Sequence, residues 1–402
     1  MGGIQMISDN IQIPKQAAFD MLYLAVCGIK EIVPDESRVA SMNLTDIYRL
    51  SCFHNLTALV YIALEPLHLD HPIMKKWKEQ KEKAVLKNIL LDMERKKLFA
   101  YMDENKIWHV PLKGVIIKEY YPKPGMRQMS DNDILFDPDY EDFMHEWFVK
   151  NQYEVDEYKV SNHNSYHKKP VLNFEMHMAL FISGFDVFGH GKTDALMDYY
   201  AHIKERLIRL DEDKYEYKFT DEDFYLYFLV HSYKHYINSG IGVKVLLDCY
   251  VILKQIEANI DQVLLEQKLK DLGLYEYDQQ LRALTTLIFE HYEDLANFAL
   301  PKDLQHMYDF FISAGTYGTH ENFIENQIHK QGIEEANKAK WTYIKKRLIP
   351  DHYYFESSDR LKYIYNHKYL MPFFLTYRVF RGVFTKGGQV FKEGMMVMKF
   401  KK

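Results

Sequence analysis

The chain has 402 residues, 47% of them hydrophobic and 27% charged, which excludes extensive disorder and supplies enough apolar material for two or three structural units. A formal net charge of −6 excludes a general electrostatic pull toward a phosphate backbone, so nucleic acid is not an expected partner. Three cysteines, Cys27, Cys52 and Cys249, exclude a disulfide framework, and with no leader-like segment and no apolar run of about 20 residues the expected setting is cytoplasmic, without a membrane span.

From about residue 14 to 105, apolar residues recur at three- and four-residue spacing in AAFDMLYLAVCGI and AVLKNILLDMERKKLFAYM, the pattern of helices, with Asn43 or Thr45 as a cap before IYRLS. The pattern then changes. IWHVPLKG reads as a short strand ending at a glycine, VIIKEYY as a helix, and YPKPG as the turn that interrupts it. DNDILFD is a second strand, DYEDFMHEWFVKNQ an amphipathic helix, and YEVDEYKV, HNSYHKKP and VLNFEMHMAL three further strand-like runs. The order β-α-β-α-β-β-β predicts an α+β fold: a small mixed sheet with helices, flanked by N-terminal and C-terminal helical regions. Boundaries are expected at 1–105, 106–210 and 211–402, with helices resuming in DFYLYFLVHSYKHYI and VKVLLDCYVILKQI. The tail from 383 to 402 and the basic run WTYIKKRLI carry lysines that suit an acidic partner, and MPFFLTYRVFRGVF mixes aromatic and basic residues that are expected to pack on the C-terminal helices.

The chemistry concentrates in SDNDILFD. Asp131 and Asp133 stand two residues apart on a predicted strand, so alternation puts both carboxylates on one face. Crowded carboxylates repel each other unless a cation or hydrogen bonds offset the charge, and hard oxygen ligands suit Mg²⁺. In VLNFEMHMAL the residues Asn173, Glu175 and His177 share one face of a strand, which offers Glu175 as a third carboxylate. Glu154, Asp156 and Glu157 are the substitutes. Lys113 and Gly114 follow a strand and open a helix, a place where free backbone N–H groups donate to a phosphate, and Arg127 and Ser130 lie just upstream of the acidic pair. Further on, His231, Lys234 and His235 fall on one helical face, and Lys244 and Asp248 are four apart on the next helix.

The segments PLKG, YYPKPGMRQMSDNDILFD and FEMH resemble the uncharacterised nucleotidyltransferase family within the DNA polymerase beta superfamily, and HSYKHYINSGIGVKVLLDCYVIL resembles the helical segment that follows its catalytic sheet. The resemblance implies Mg²⁺, or Mn²⁺, held by Asp131, Asp133 and Glu175. It implies a nucleoside triphosphate, ATP foremost, cradled by Lys113 and Gly114 with Arg127, Ser130, Lys234 and His235 nearby. The usual Gly-Ser or Gly-Gly turn of that superfamily is replaced here by Lys113-Gly114, and the third carboxylate lies over forty residues beyond the pair. The implied reaction moves a nucleoside monophosphate to a hydroxyl of a small-molecule, sugar or protein acceptor in a bacterial setting, with pyrophosphate leaving. The rivals are a scaffold that keeps the fold without turnover and a metal-dependent phosphoester hydrolase.

Overall fold

A computed structural model describes residues 14–181, 193–238 and 240–316, together with shorter pieces between 338 and 397. Most of WTYIKKRLI lies outside the described residues, as does the tail from 383 apart from Val397. The described part of MPFFLTYRVFRGVF is largely exposed, with Phe373, Tyr377 and Phe380 each more than half open to solvent.

The N-terminal third is helical: α1 (Lys15–Lys30), α2 (Glu36–Ala40), α3 (Leu44–Phe53), α4 (Thr57–Leu64) and the long α5 (Ile73–Glu104). Asn43 caps α3 by accepting the Asp46 N–H. At 32 residues, α5 spans roughly 48 Å at 1.5 Å per residue, and it buries Trp77, Ala84, Asn88, Leu91, Leu98, Phe99 and Met102 along one stripe. That helix is the spine joining the N-terminal helices to the sheet.

Five strands form the mixed sheet: β1 (His109–Pro111), β2 (Asn132–Phe136), β3 (Glu154–Glu157), β4 (His163–Lys168) and β5 (Leu172–His177). They stand in the order β1-β2-β5-β4-β3, with β2 and β5 parallel and the other pairs antiparallel. The single turn α6 (Gly114–Ile117) follows β1, and α7 (Glu141–Lys150) makes the crossover after β2. Alternation along each strand divides the sheet into two unlike faces. Ile134, Phe136, Tyr166, Phe174 and Met176 pack under α5 and α7 with Phe99, Met144 and Phe148. The Phe148 and Tyr166 rings stack with centroids 4.0 Å apart. Asp133, Glu175 and His177 are left on the opposite face. Anchoring one face this firmly fixes the register, because a one-residue slip would exchange the two sets.

That opposite face is covered by C-terminal helices α10 (Asp221–Tyr236) and α11 (Lys244–Ile256), which follow α8 (Thr193–Ala201) and α9 (Ile203–Arg206) and precede α12 (Gln262–Asp271), α13 (Tyr275–Glu290) and α14 (Lys302–Ala314). One continuous cluster of buried side chains runs from α1 and α4 through α10 and α11 to α13 and α14. A second, two-stranded ribbon, β6 (Ile208–Arg209) with β7 (Tyr217–Lys218), corrects the expectation of a purely helical region from 211 onward. Strands of two residues carry no periodicity to read. No helix among the described residues is long and apolar enough to cross a membrane.

At the junction of these helices sits His54, fully buried, with no well-formed hydrogen bond at either ring nitrogen among the described residues and a weak interaction with the Ile312 backbone favouring its charged form. A Cβ on Gly242 would come within 2.9 Å of its Nδ1 and 2.5 Å of the Gly315 carbonyl oxygen, so only glycine fits. Burial pushes the imidazole down from 6.5 to about 3. Between those values the unfolded chain binds a proton that the folded chain refuses. Stability from this group is therefore whole above pH 6.5 and is lost as pH falls toward 3, by about 2 kcal/mol between pH 7 and pH 5. Urea unfolding at those two pH values should show His54→Asn to be flatter than the parent chain by this amount; equal slopes would refute the assignment.

Candidate active site

Three segments bring the acidic residues together. β2 and β5 run side by side in register, Asp133 opposite Glu175 and Leu135 opposite His177. Asp131 stands one residue ahead of β2, partly buried, at the mouth of the same face. The segment leading to it is pinned from three sides. Gln128 accepts from the Thr57 hydroxyl and the Ala58 N–H, and Asn88 of α5 donates to the Arg127 carbonyl. Asn132 is locked to α5 by the Leu91 carbonyl and the Arg95 guanidinium. Ser130 lines the site, and its carbonyl accepts from the Asn173 amide.

Asp133 is the centre. It is 5% exposed, and its Oδ1 accepts from Lys113 Nζ at 2.8 Å and lies 3.1 Å from His177 Nε2. A buried carboxylate costs several kcal/mol unless it is paired, and here both partners converge on one oxygen. Burial opposes its charge, yet Lys113 and His177 hold it well below the usual carboxylate range. Asp131 behaves oppositely: burial, then the charges of Asp133 and Glu175, push it up to about 7. Two neighbouring acids are thus driven apart, with the repulsion falling on Asp131 although Lys113 and Lys244 partly offset it.

Asp133, Glu175 and His177 each offer one ligand atom, all within 4.8 Å of one another. Ligands adjacent around a dication bound at about 2.1 Å stand roughly 3 Å apart. His177 Nε2 lies 3.1 Å from Asp133 Oδ1 and 3.6 Å from Glu175 Oε2, so the donor set fits a dication. His177 was not among the site residues expected from sequence; a histidine alternating with Glu175 on a strand carried the signal, but reads equally as solvent-facing. Glu154, Asp156 and Glu157 lie on β3, three strand spacings or about 14 Å from β2, and Glu154 and Asp156 instead flank His167.

The acidic wall faces a cavity of about 470 Å³. Across it, α10 presents Phe224, Tyr227, Phe228, His231, Lys234 and His235 at helical spacing, and the start of α11 presents Lys244. Burial keeps His231 well below its ordinary value and, aided by Lys234 and Lys113, pushes His235 down to about 4. Burial, then the Arg127 charge, pushes Lys244 down to about 8, against the pull of Asp248 and Asp131.

Arg127 also lines the cavity, but its guanidinium forms a two-point ion pair with Asp248 of α11, Nε to Oδ1 and Nη2 to Oδ2, each at 2.9 Å. Tyr121 donates to the same Oδ1 at 2.8 Å. A Cβ at Gly114 would meet Arg127 Nη1 at 2.5 Å, so this glycine makes room for the guanidinium. Lys113 holds φ 47° and ψ −118°, a region that favours glycine. The helix opened by Gly114 is a single turn, continued by a 3₁₀ turn over Lys118–Tyr120.

Two parallel neighbouring strands thus carry carboxylates in register, beside a strand-glycine-helix turn and across a cavity from α10 and α11. Residues 40–290 match the family described as uncharacterised nucleotidyltransferase, and the chain belongs to that family. No curated protein and no solved structure matches the chain.

Proposed function

We propose that the chain is a metal-dependent transferase that moves a nucleoside monophosphate from a nucleoside triphosphate, ATP foremost, to a hydroxyl of a small-molecule, sugar or protein acceptor. The observation that carries this reading is the pairing of Asp133 with Glu175 at one register on the wall of a 470 Å³ cavity that also holds cationic side chains. Asp131, Asp133 and Glu175 would hold Mg²⁺ or Mn²⁺, with His177 as a further donor. When bound, the dications offset phosphate charge and lower the pKa of the attacking hydroxyl.

The chain's own groups do the rest. Lys234 and Lys244 reach into the cavity from α10 and α11 and suit the β- and γ-phosphates, while Tyr227, Phe224 and Phe228 give an apolar wall for the base. Glu175, partly exposed, accepts the proton of the acceptor hydroxyl. The O–P bond to the α-phosphorus forms as the bond to the β-phosphate oxygen breaks, and pyrophosphate carries away the displaced charge. Most of the acceleration comes from positioning and charge neutralisation.

Calorimetric titration of each nucleoside triphosphate with Mg²⁺ tests the reading. The parent chain should bind one of them only when a dication is present, and Asp131→Ala and Glu175→Gln should each weaken that binding at least about tenfold. Failure of the parent chain to bind any triphosphate, or binding indifferent to metal, would sink the proposal. The Lys113 to Asp133 ion pair favours a second reading, a binding protein that keeps the fold without turnover. Metal-dependent nucleotide binding with no release of pyrophosphate in the presence of cell metabolites would decide for it. Release of inorganic phosphate would point to a hydrolase instead.

A further inference from the structure

We infer that Lys113 is an internal counter-cation that competes with the dication for Asp133 and, once displaced, transfers its charge to the triphosphate. The inference rests on the metal-dependent reading above and adds a role for the residue that replaces the usual small residue of the turn.

Three observations converge. Lys113 Nζ lies 2.8 Å from Asp133 Oδ1, the oxygen that also faces His177 Nε2 at 3.1 Å. A dication ligated by Asp133, Glu175 and His177 needs the electron pairs that the ammonium now holds. Second, the Lys113 backbone sits at φ 47° and ψ −118°, where a residue with a Cβ is strained and glycine is not, so a lysine persists there only if its side chain earns the position. Third, Lys113 and Lys234 line the same cavity, so a released Lys113 ammonium has the phosphate oxygens of a bound triphosphate as its next partner. Its flexible four-carbon stem and three donors suit such a change of partner.

The arrangement accounts for how Asp133 is tolerated as a buried charge without a metal, and it sets an order. Dication and nucleotide should enter together, because either one alone leaves Lys113 or the carboxylates uncompensated. A purely structural lysine would make no such demand.

The test uses the full chain, Mn²⁺ followed by its paramagnetic signal, and a triphosphate analogue with a methylene between the α- and β-phosphorus. Lys113→Gln keeps a hydrogen-bond donor for Asp133 but removes the charge; Lys113→Arg keeps the charge. The expected result is a crossing. Without nucleotide, Lys113→Gln binds Mn²⁺ at least about tenfold more tightly than the parent, whereas with saturating Mn²⁺ it binds the analogue at least about tenfold more weakly. Lys113→Arg should stay within a few-fold of the parent in both. Should Lys113→Gln be poorly folded, its melting temperature should rise more on adding Mn²⁺ than that of the parent, and an equal rise overturns the inference. Equal or weaker Mn²⁺ binding by Lys113→Gln overturns the competition, and unchanged analogue affinity overturns the transfer. Both leave the metal-dependent reading standing. Absence of Mn²⁺ binding by parent and variant alike removes both proposals.

Discussion

Asp131→Ala and Asp133→Ala should each abolish nucleotidyl transfer, by at least about 10³-fold, and yet move stability in opposite directions. Both carboxylates line the cavity, and under the proposed reading both hold a dication, so losing either would remove charge stabilisation from the reacting phosphate. Their folded environments differ. Asp133 is 5% exposed and neutralises a lysine that is itself largely buried, so its removal leaves an uncompensated ammonium and costs about 3 to 5 kcal/mol. Asp131 is pushed up to about 7 by burial and by the charges of Asp133 and Glu175, which marks a carboxylate held against repulsion. Removing it relieves that repulsion and should leave stability unchanged or slightly raised. Transfer of an α-phosphate label, with a metabolite extract supplying acceptors, measures the first effect, and urea unfolding in parallel measures the second. An Asp131→Ala chain that still transfers label would take that residue out of the site; an Asp133→Ala chain as stable as the parent would deny the ion pair its structural weight.

Much of this site was legible in the sequence because it rests on local periodicity. The two-residue spacing in DND and the alternation in LNFEMH define strand faces, and the hydrophobic partners Ile134, Phe136, Phe174 and Met176 do anchor the opposite face of the sheet. The change from helical to strand period near residue 106 marked where the sheet begins, and Asn43 signalled its helix as a cap. What periodicity does not carry is the partner across space. Arg127 and Asp248 meet from 121 residues apart, and no spacing rule connects a loop arginine to an aspartate on a later helix. Read locally, Arg127 suits a phosphate and Asp248 suits an intrahelical contact with Lys244. Likewise His177 looks solvated on an alternating strand, yet the fold buries it beside Asp133 and His163.

The Arg127 to Asp248 pair carries the second large expectation, that Asp248→Ala costs about 3 to 5 kcal/mol and lowers the melting temperature by about 4 to 6 °C. Three donated hydrogen bonds end on this carboxylate, two from Arg127 and one from Tyr121, and all three residues are buried. Truncation leaves a guanidinium with no counter-charge, and Lys244 beside it loses the aspartate that favours its own charged form. Replacing both ends together, Arg127→Met with Asp248→Leu, removes the orphaned charge as well as the pair and should recover most of the loss, giving a coupling energy above about 2 kcal/mol in the double-mutant cycle. The same cycle decides what Arg127 does. If the guanidinium serves as a tie between the loop before Asp131 and α11, the stability loss of Asp248→Ala is large and follows whether or not nucleotide is present. If it serves the triphosphate, Asp248→Ala frees it to do so, and nucleotide affinity rises while stability barely moves. The two-point geometry and the closeness of Arg127 Nη1 to Gly114 favour the tie, with the arginine acting on chemistry through the position it gives to Asp131.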